Sequence, residues 1–246
     1  MRSIVVHTLS LSNLNYYQSN FTMNFRQLYV LGLMLLTSIG AMAQQSYRIE
    51  YDVDIVQDED VDAMAAAMME DMTMTLYFQG RAARVEMNMT MMQMAMIYND
   101  DEKTALILMD MMGQKIASIS EGDDFEAMQE QNGNDQTPEI RETGKTKTIA
   151  GYKCYQAFVS QPGQEGETEI WYTKDIVVQN ESSNYTYQGL AGFPLQMTVN
   201  QNGINMDMIA REVSKSRLDS DLFDVEIPEG YVIQEGMLGA PGGGRN

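Results

Sequence analysis

The sequence predicts an α+β domain built mainly from one antiparallel sheet with a few helices. Apolar and polar residues alternate with period two over most of residues 44–234, turn-forming residues repeatedly interrupt that alternation, and only two short stretches show helical spacing.

The chain is expected to begin with a leader. Residues 1–22 hold no recognisable signal and read as an upstream extension. From Met23, a short basic segment containing Arg26 precedes a 12-residue apolar run, Leu28 to Ile39, and Ala41-Met42-Ala43 supplies an A-x-A cleavage site before Gln44. The run is too short for a membrane span, which needs about 20 apolar residues. Residues 23–43 are therefore expected to be a signal peptide, and the mature chain a soluble periplasmic or extracellular protein without a transmembrane anchor. Gln44 stands where a lipoprotein carries Cys. Cleavage removes the only histidine, His7, and leaves 14 basic against 35 acidic residues, so the net charge moves from −19 to −21. No imidazole then remains for a Ser-His-Asp triad, a Cys-His dyad or a His-ligated zinc. The acidity also opposes nucleic-acid binding, which draws its affinity from Lys and Arg on phosphates. Neither G-x-x-x-x-G-K-[ST] nor G-x-S-x-G occurs. A non-enzymatic protein without a cofactor is expected.

The elements follow in order. Tyr47 to Val56 alternates as a first strand. Val61, Met64, Ala65, Met68 and Met72 fall on one face of a helix, whose N-terminal end carries the acids that its dipole favours. Met74, Leu76 and Phe78 alternate with polar neighbours as the next strand. Gly80 ends it, and Arg81 to Met89 continues as another. Asn99 to Lys103 is a turn into Thr104 to Met109, and Met112-Gly113 a turn into Gln114 to Ser120. Residues 121–143 read as a long exposed connection around a short helix, Asp123 to Gln131. A second block of strands spans 145–150, 152–160, 167–174, Phe193–Asn200 and Ile204–Lys215, split by Ala150-Gly151, Gln161-Pro162-Gly163 and Gln201-Asn202-Gly203. No internal repeat or linker divides residues 44–234, so one domain is expected, followed by a disordered Gly-rich tail over 235–246.

Methionine is the unusual residue. Fourteen of 23 lie between Met64 and Met112. Val85, Met87, Met89 and Met91 share one strand face, but Met92, Met94 and Met96 fall on the opposite phase. A bulge or a hairpin turn near Thr90–Gln93 would let both sets face one interior; otherwise both faces are covered. Met64, Met68, Met72, Met87, Met89, Met91, Met94 and Met96 are the candidates for lining a ligand cavity, since the flexible, polarizable thioether suits an adaptable apolar wall. Two alternatives stand beside this: a packed core, and a Cu(I) site or methionine-oxidation buffer built from soft sulfur.

Other candidates are weaker. Cys154 has no partner for a disulfide and no neighbouring base, so it reads as a small buried hydrophobe. Asp58, Glu59, Asp60 and Asp62 resemble part of a calcium loop, but Ala63 occupies the position that requires Gly. No carboxylate pair stands out by context, and the sequon Asn184-Tyr185-Thr186 has no meaning in a bacterial host.

Three segments of the second half carry a family likeness: Thr148-Ile149-Ala150-Gly151-Tyr152-Lys153-Cys154, Glu169-Ile170-Trp171-Tyr172-Thr173-Lys174-Asp175-Ile176 and Gly189-Leu190-Ala191-Gly192-Phe193-Pro194-Leu195. The closing run Asp221 to Tyr231, with Pro228 and Gly230, fits the same pattern. Together they resemble DUF4412 and the related GLPGLI family of bacterial envelope proteins, both akin to the LolA/LolB-like lipoprotein-carrier fold. The resemblance implies a strongly curved, unclosed antiparallel sheet, a half-barrel with helices on its concave side over an apolar cavity. It implies no specific activity. Read physically, Gly151 and Gly189 supply positive φ at turns, Trp171 and Tyr172 are apolar bodies with polar tips, and Pro194 and Pro228 punctuate strand edges. The expected function is binding of an acyl chain, lipid or lipoprotein segment in a methionine-lined half-barrel.

Overall fold

Twelve strands hydrogen-bond into one sheet, and every pairing but one is antiparallel, as expected when short turns join successive strands. The structure is a computed structural model describing residues 45–56, 72–131, 137–160, 166–183, 187–201 and 204–234. The expected helix over 61–72, the leader, the sequon and the Gly-rich tail lie outside these residues, Met72 excepted.

In chain order the elements are β1 (Ser46–Val56), β2 (Thr73–Gln79), β3 (Ala82–Asn88), β4 (Met92–Asn99), β5 (Thr104–Met111), β6 (Gln114–Glu121), α1 (Gly122–Gln131) and β7 (Glu139–Ile149). There follow β8 (Tyr152–Ser160), β9 (Thr168–Thr173), β10 (Phe193–Gln201), β11 (Ile204–Lys215), a 3-10 turn (Ser220–Phe223) and β12 (Val232–Ile233). Their order across the sheet is β12-β6-β5-β4-β3-β2-β1-β11-β10-β9-β8-β7. β1 and β11 thus join two meanders at the centre, and β12 alone runs parallel, beside β6. β7 begins at Glu139, so the exposed connection predicted over 121–143 is shorter than its composition suggested.

The sheet curves strongly and does not close. Phe78 on β2 and Phe193 on β10 are three strands apart, roughly 14 Å on a flat sheet, yet their ring centroids are 5.3 Å apart, edge to face. The concave face buries one continuous core that includes Tyr47, Ile49, Tyr51, Leu76, Phe78, Ile170, Tyr172 and Leu195. α1 adds Phe125 and Met128 to it; its first turn carries Asp123 and Asp124, where the helix dipole favours acids. Among the described residues α1 is the single α-helix.

β4 and β5 are buried on both faces. Their other face holds a second cluster, Ala95, Ile97, Leu106 and Leu108 with Ala117 of β6, covered by Val225, Ile227 and Tyr231. Residues 216–234 therefore act as a strap across the back of the sheet. Arg84 donates to the Leu222 carbonyl at 3.2 Å, and the strap ends by pairing Val232 and Ile233 with Ile116 and Ala117. No helix of the described residues is long and apolar enough to cross a membrane.

Candidate functional site

The methionine-rich strands resolve the phase change seen in the sequence. Met89 and Met92 exchange two backbone hydrogen bonds, 2.8 and 3.3 Å, around the two-residue turn Thr90-Met91. Met87 then faces Met94 directly, and Val85 faces Met96. The turn, rather than a bulge, reverses the parity, so Met87, Met89, Met92, Met94 and Met96 share one face. That face is the concave one, because Met87 also pairs with the core residue Met74 of β2. Met94 pairs onward with Met109, and Met92 with Met111.

Met91 departs from expectation. The alternation assigned it to the lining set, but it occupies the turn and is 49% exposed. Strand periodicity stops at the turn, so its side chain is released from the face shared by Met87 and Met89. Of the other candidates, Met72 is buried, Met87, Met89, Met94 and Met96 are half-buried, and Met64 and Met68 lie outside the described residues. The Met96 sulfur accepts a bond from the buried Tyr98 hydroxyl at 3.6 Å, whose pKa burial pushes up to about 12.

A cavity of about 650 Å³ lies at the opposite ends of the strands, where Arg81 follows β2 and Asp100 and Lys103 follow β4. Phe125 and Gln129 of α1, with Asn180, Ser182, Tyr187 and Leu190, complete much of its wall. Among the described residues no methionine lines it. Its organising group is Asp100, which the sequence showed only as a turn residue. The carboxylate is nearly buried, with 5% side-chain exposure, beside the Arg81 guanidinium at 3.8 Å. It accepts from Asn180 Nδ2 at 2.9 Å, from the Glu181 backbone N–H at 2.9 Å and from the Ser182 hydroxyl. Asn180 also donates to the Arg81 carbonyl at 2.8 Å. Asp100 thereby ties the segment after β9 to two hairpin turns. Only an anticipated long-range contact could have singled it out.

The motif residues are largely architectural. Ala150 and Gly151 have φ of 47° and 82°, the paired positive values of a type I′ hairpin turn between β7 and β8. Gly189 is also positive, at 85°. Cys154 is fully buried in the strand after that turn, beside Tyr152, and burial raises its thiol pKa to about 11. Trp171 is half-buried; its indole N–H donates to Glu169 at 2.9 Å, and the Lys147 ammonium lies 4.1 Å from a ring centroid. Tyr172 is fully buried and donates to Glu142, and burial first, then that carboxylate, raises its pKa. Pro194 sits at a register irregularity of β10, and its carbonyl accepts from the Tyr51 hydroxyl at 2.7 Å. Pro228 and Gly230, the latter with φ of 91°, turn the strap so that Tyr231 meets the second cluster.

Among the described residues no group of three His, Cys, Asp or Glu is arranged to hold a metal ion. The methionine face offers thioethers, and the cavity offers a mixed polar wall.

Two solved structures are similar at low identity. PNGF-II matches with 16% identity and a TM-score of 0.44, over 78% of this chain and 31% of that one. The present chain thus spans about a third of PNGF-II. A "beta-barrel-like protein of domain of unknown function DUF1849" from Brucella abortus matches with 11% identity and a TM-score of 0.31, over 72% of this chain and all of that one. No curated protein matches the chain. The family model described as "Domain of unknown function (DUF4412)" matches residues 63–231, well over half the sequence and all four motif segments, and the chain belongs to that family.

Proposed function

We propose that this chain is an exported, non-enzymatic binding protein that holds a hydrophobic ligand, such as an acyl chain or a lipoprotein's lipid, against the methionine face of β3–β5. The supporting observation is the half-buried state of Met87, Met94 and Met109. They lie in one cross-strand row continuous with the core residue Met74, on the concave side of an unclosed sheet. An apolar face held partway between core and water gains free energy when a ligand removes the remaining area, at about 25 cal/mol per Å². Thioether side chains adapt to chains of different shape. The signal-peptide pattern of residues 23–43 and Gln44 at the cleavage point support export as a non-lipoprotein.

Gentle purification followed by lipid extraction and mass spectrometry tests this reading, with displacement of a fluorescent fatty acid as the quantitative readout. Substitution of Met94 and Met109 by Glu is expected to weaken uptake at least about tenfold, because each carboxylate would have to be desolvated against the ligand. A wild-type protein that carries no lipid and takes up no fatty acid would sink the proposal.

A further inference from the structure

We infer that the end of the β3–β4 hairpin is a binding site for a soft monovalent cation, Cu(I) or Ag(I), with Met87, Met89, Met92 and Met94 as its thioether ligands. The inference rests on backbone register and does not require the hydrophobic-ligand reading. Met87 faces Met94, and Met89 faces Met92 across the Thr90-Met91 turn. Directly opposed residues have Cβ atoms about 4.5–5.5 Å apart, and same-face neighbours along a strand are roughly 6.7 Å apart. The four side chains therefore stand at the corners of a small rectangle on one face. Each is half-buried, so sulfur is held in place while an ion can still enter. Unbranched side chains with three rotatable bonds can turn their sulfurs inward from these corners.

The surroundings define the ion. Glu86, Asn88 and Gln93 alternate onto the opposite face, so neither strand of the hairpin places a carboxylate or amide beside the four methionines. Neutral sulfur alone suits Cu(I) and Ag(I) and serves Zn²⁺, Ca²⁺ and Mg²⁺ poorly. Imidazole and thiol offer little competition, because residues 44–246 contain no histidine and Cys154 is fully buried. Met96 is engaged by Tyr98, while Met109 and Met111 lie beside the rectangle as neighbours on β5. A thioether has no proton to lose on metal binding, unlike thiol or imidazole ligands. Binding should therefore be insensitive to moderate acid.

The test titrates the purified, delipidated chain with Ag(I), a redox-inert stand-in, and with Cu(I) against a chelator. One saturable ion per chain is expected, with affinity unchanged between about pH 7 and 5. Met89→Leu/Met92→Leu/Met94→Leu should weaken binding at least about tenfold, since Leu nearly conserves volume and apolarity but removes the ligands. Met91→Leu/Met112→Leu, which alters exposed methionines outside the rectangle, should leave it unchanged. Fatty-acid uptake by Met89→Leu/Met92→Leu, which leaves the Met87-Met94-Met109 row intact, should persist while its silver affinity falls, which separates failure of this site from failure of the hydrophobic-ligand reading. Wild-type-like binding by the triple variant would overturn the site, as would affinity that falls steeply with acid. Should circular dichroism show that variant misfolded, X-ray absorption of the silver-loaded wild type decides: three or four sulfur neighbours support the site, and oxygen or nitrogen neighbours overturn it.

Discussion

A Cβ added to Gly192 would lie 2.1 Å from the backbone oxygen of Thr173, and the residue has φ of 153°. The partner is the backbone of the last residue of β9, which is paired to β10, so it cannot rotate away. Gly192→Ala is expected to cost about 3 kcal/mol, seen as a lowered melting temperature. Gly113 has φ of 86° but open space around it, so Gly113→Ala should cost only about 1–2 kcal/mol from handedness. Equal losses would show that the close approach is not what requires Gly192. The sequence points to Gly189 of the same motif as the turn glycine; nothing local distinguishes the glycine that meets a neighbouring strand. Glu50 makes a second residue-scale case. A hydrogen bond from Arg211 above all, opposed by burial and aided by the Arg48 charge, holds its carboxyl below the usual range. A carboxyl depressed in the folded state contributes stability that is complete above its unfolded pKa, about 4.3, and is lost as pH falls through the lower folded value. Glu50→Gln should therefore be less stable than wild type at pH 7, with the difference shrinking as pH drops below about 4, measured by urea midpoints. A constant difference across that range would assign the loss to packing instead.

At the scale of elements, the strap and the β3–β4 hairpin illustrate opposite outcomes. The closing run Asp221 to Tyr231 has no helical or strand period, yet its apolar residues cover the cluster of Ile97, Leu106 and Leu108. Truncation after Leu218 would uncover that face. Such a chain is expected to aggregate or to bind a hydrophobic dye at concentrations where wild type does neither. The point variant Phe223→Ala, at a position 9% exposed, should cost about 3 kcal/mol in urea titration. If truncation leaves solubility and dye binding unchanged, the strap does not protect the sheet. The hairpin was legible in part: alternation found the strand through Met89 and the phase change after it, but left open a bulge, a hairpin turn near Thr90–Gln93 or cover on both faces. Which of Met89 to Met92 formed the turn depended on β3 and β4 pairing in register with β2 and β5, so Met91 was assigned to a face it does not share.

For the whole molecule, curvature decides which distant residues meet. Phe78 and Phe193 touch across three intervening strand spacings. A double-mutant cycle with Phe78→Leu and Phe193→Leu should give a coupling of about 0.5–1.5 kcal/mol. Additivity within about 0.3 kcal/mol would mean that the rings do not interact. Most strands were readable because side-chain alternation reports one dry and one wet face, and turns between them carry Gly, Asn, Asp or Pro. Helix α1, Gly122–Gln131, was readable as the short helix expected over Asp123 to Gln131. The sequence alone also established that residues 44–246 lack histidine, the acidic charge and the concentration of methionine, since these are inventories that folding cannot change. Tertiary structure decided the rest: that β4 and β5 are covered on both faces, that Asp100 anchors the segment after β9, that the cavity lies at the end of the strands away from Met87 and Met94, and that four half-buried methionines form one rectangle. The first three depend on strand order or curvature, which arise from contacts between residues far apart in the chain; the rectangle depends on the register of one hairpin, which alternation alone left open between a bulge and a turn.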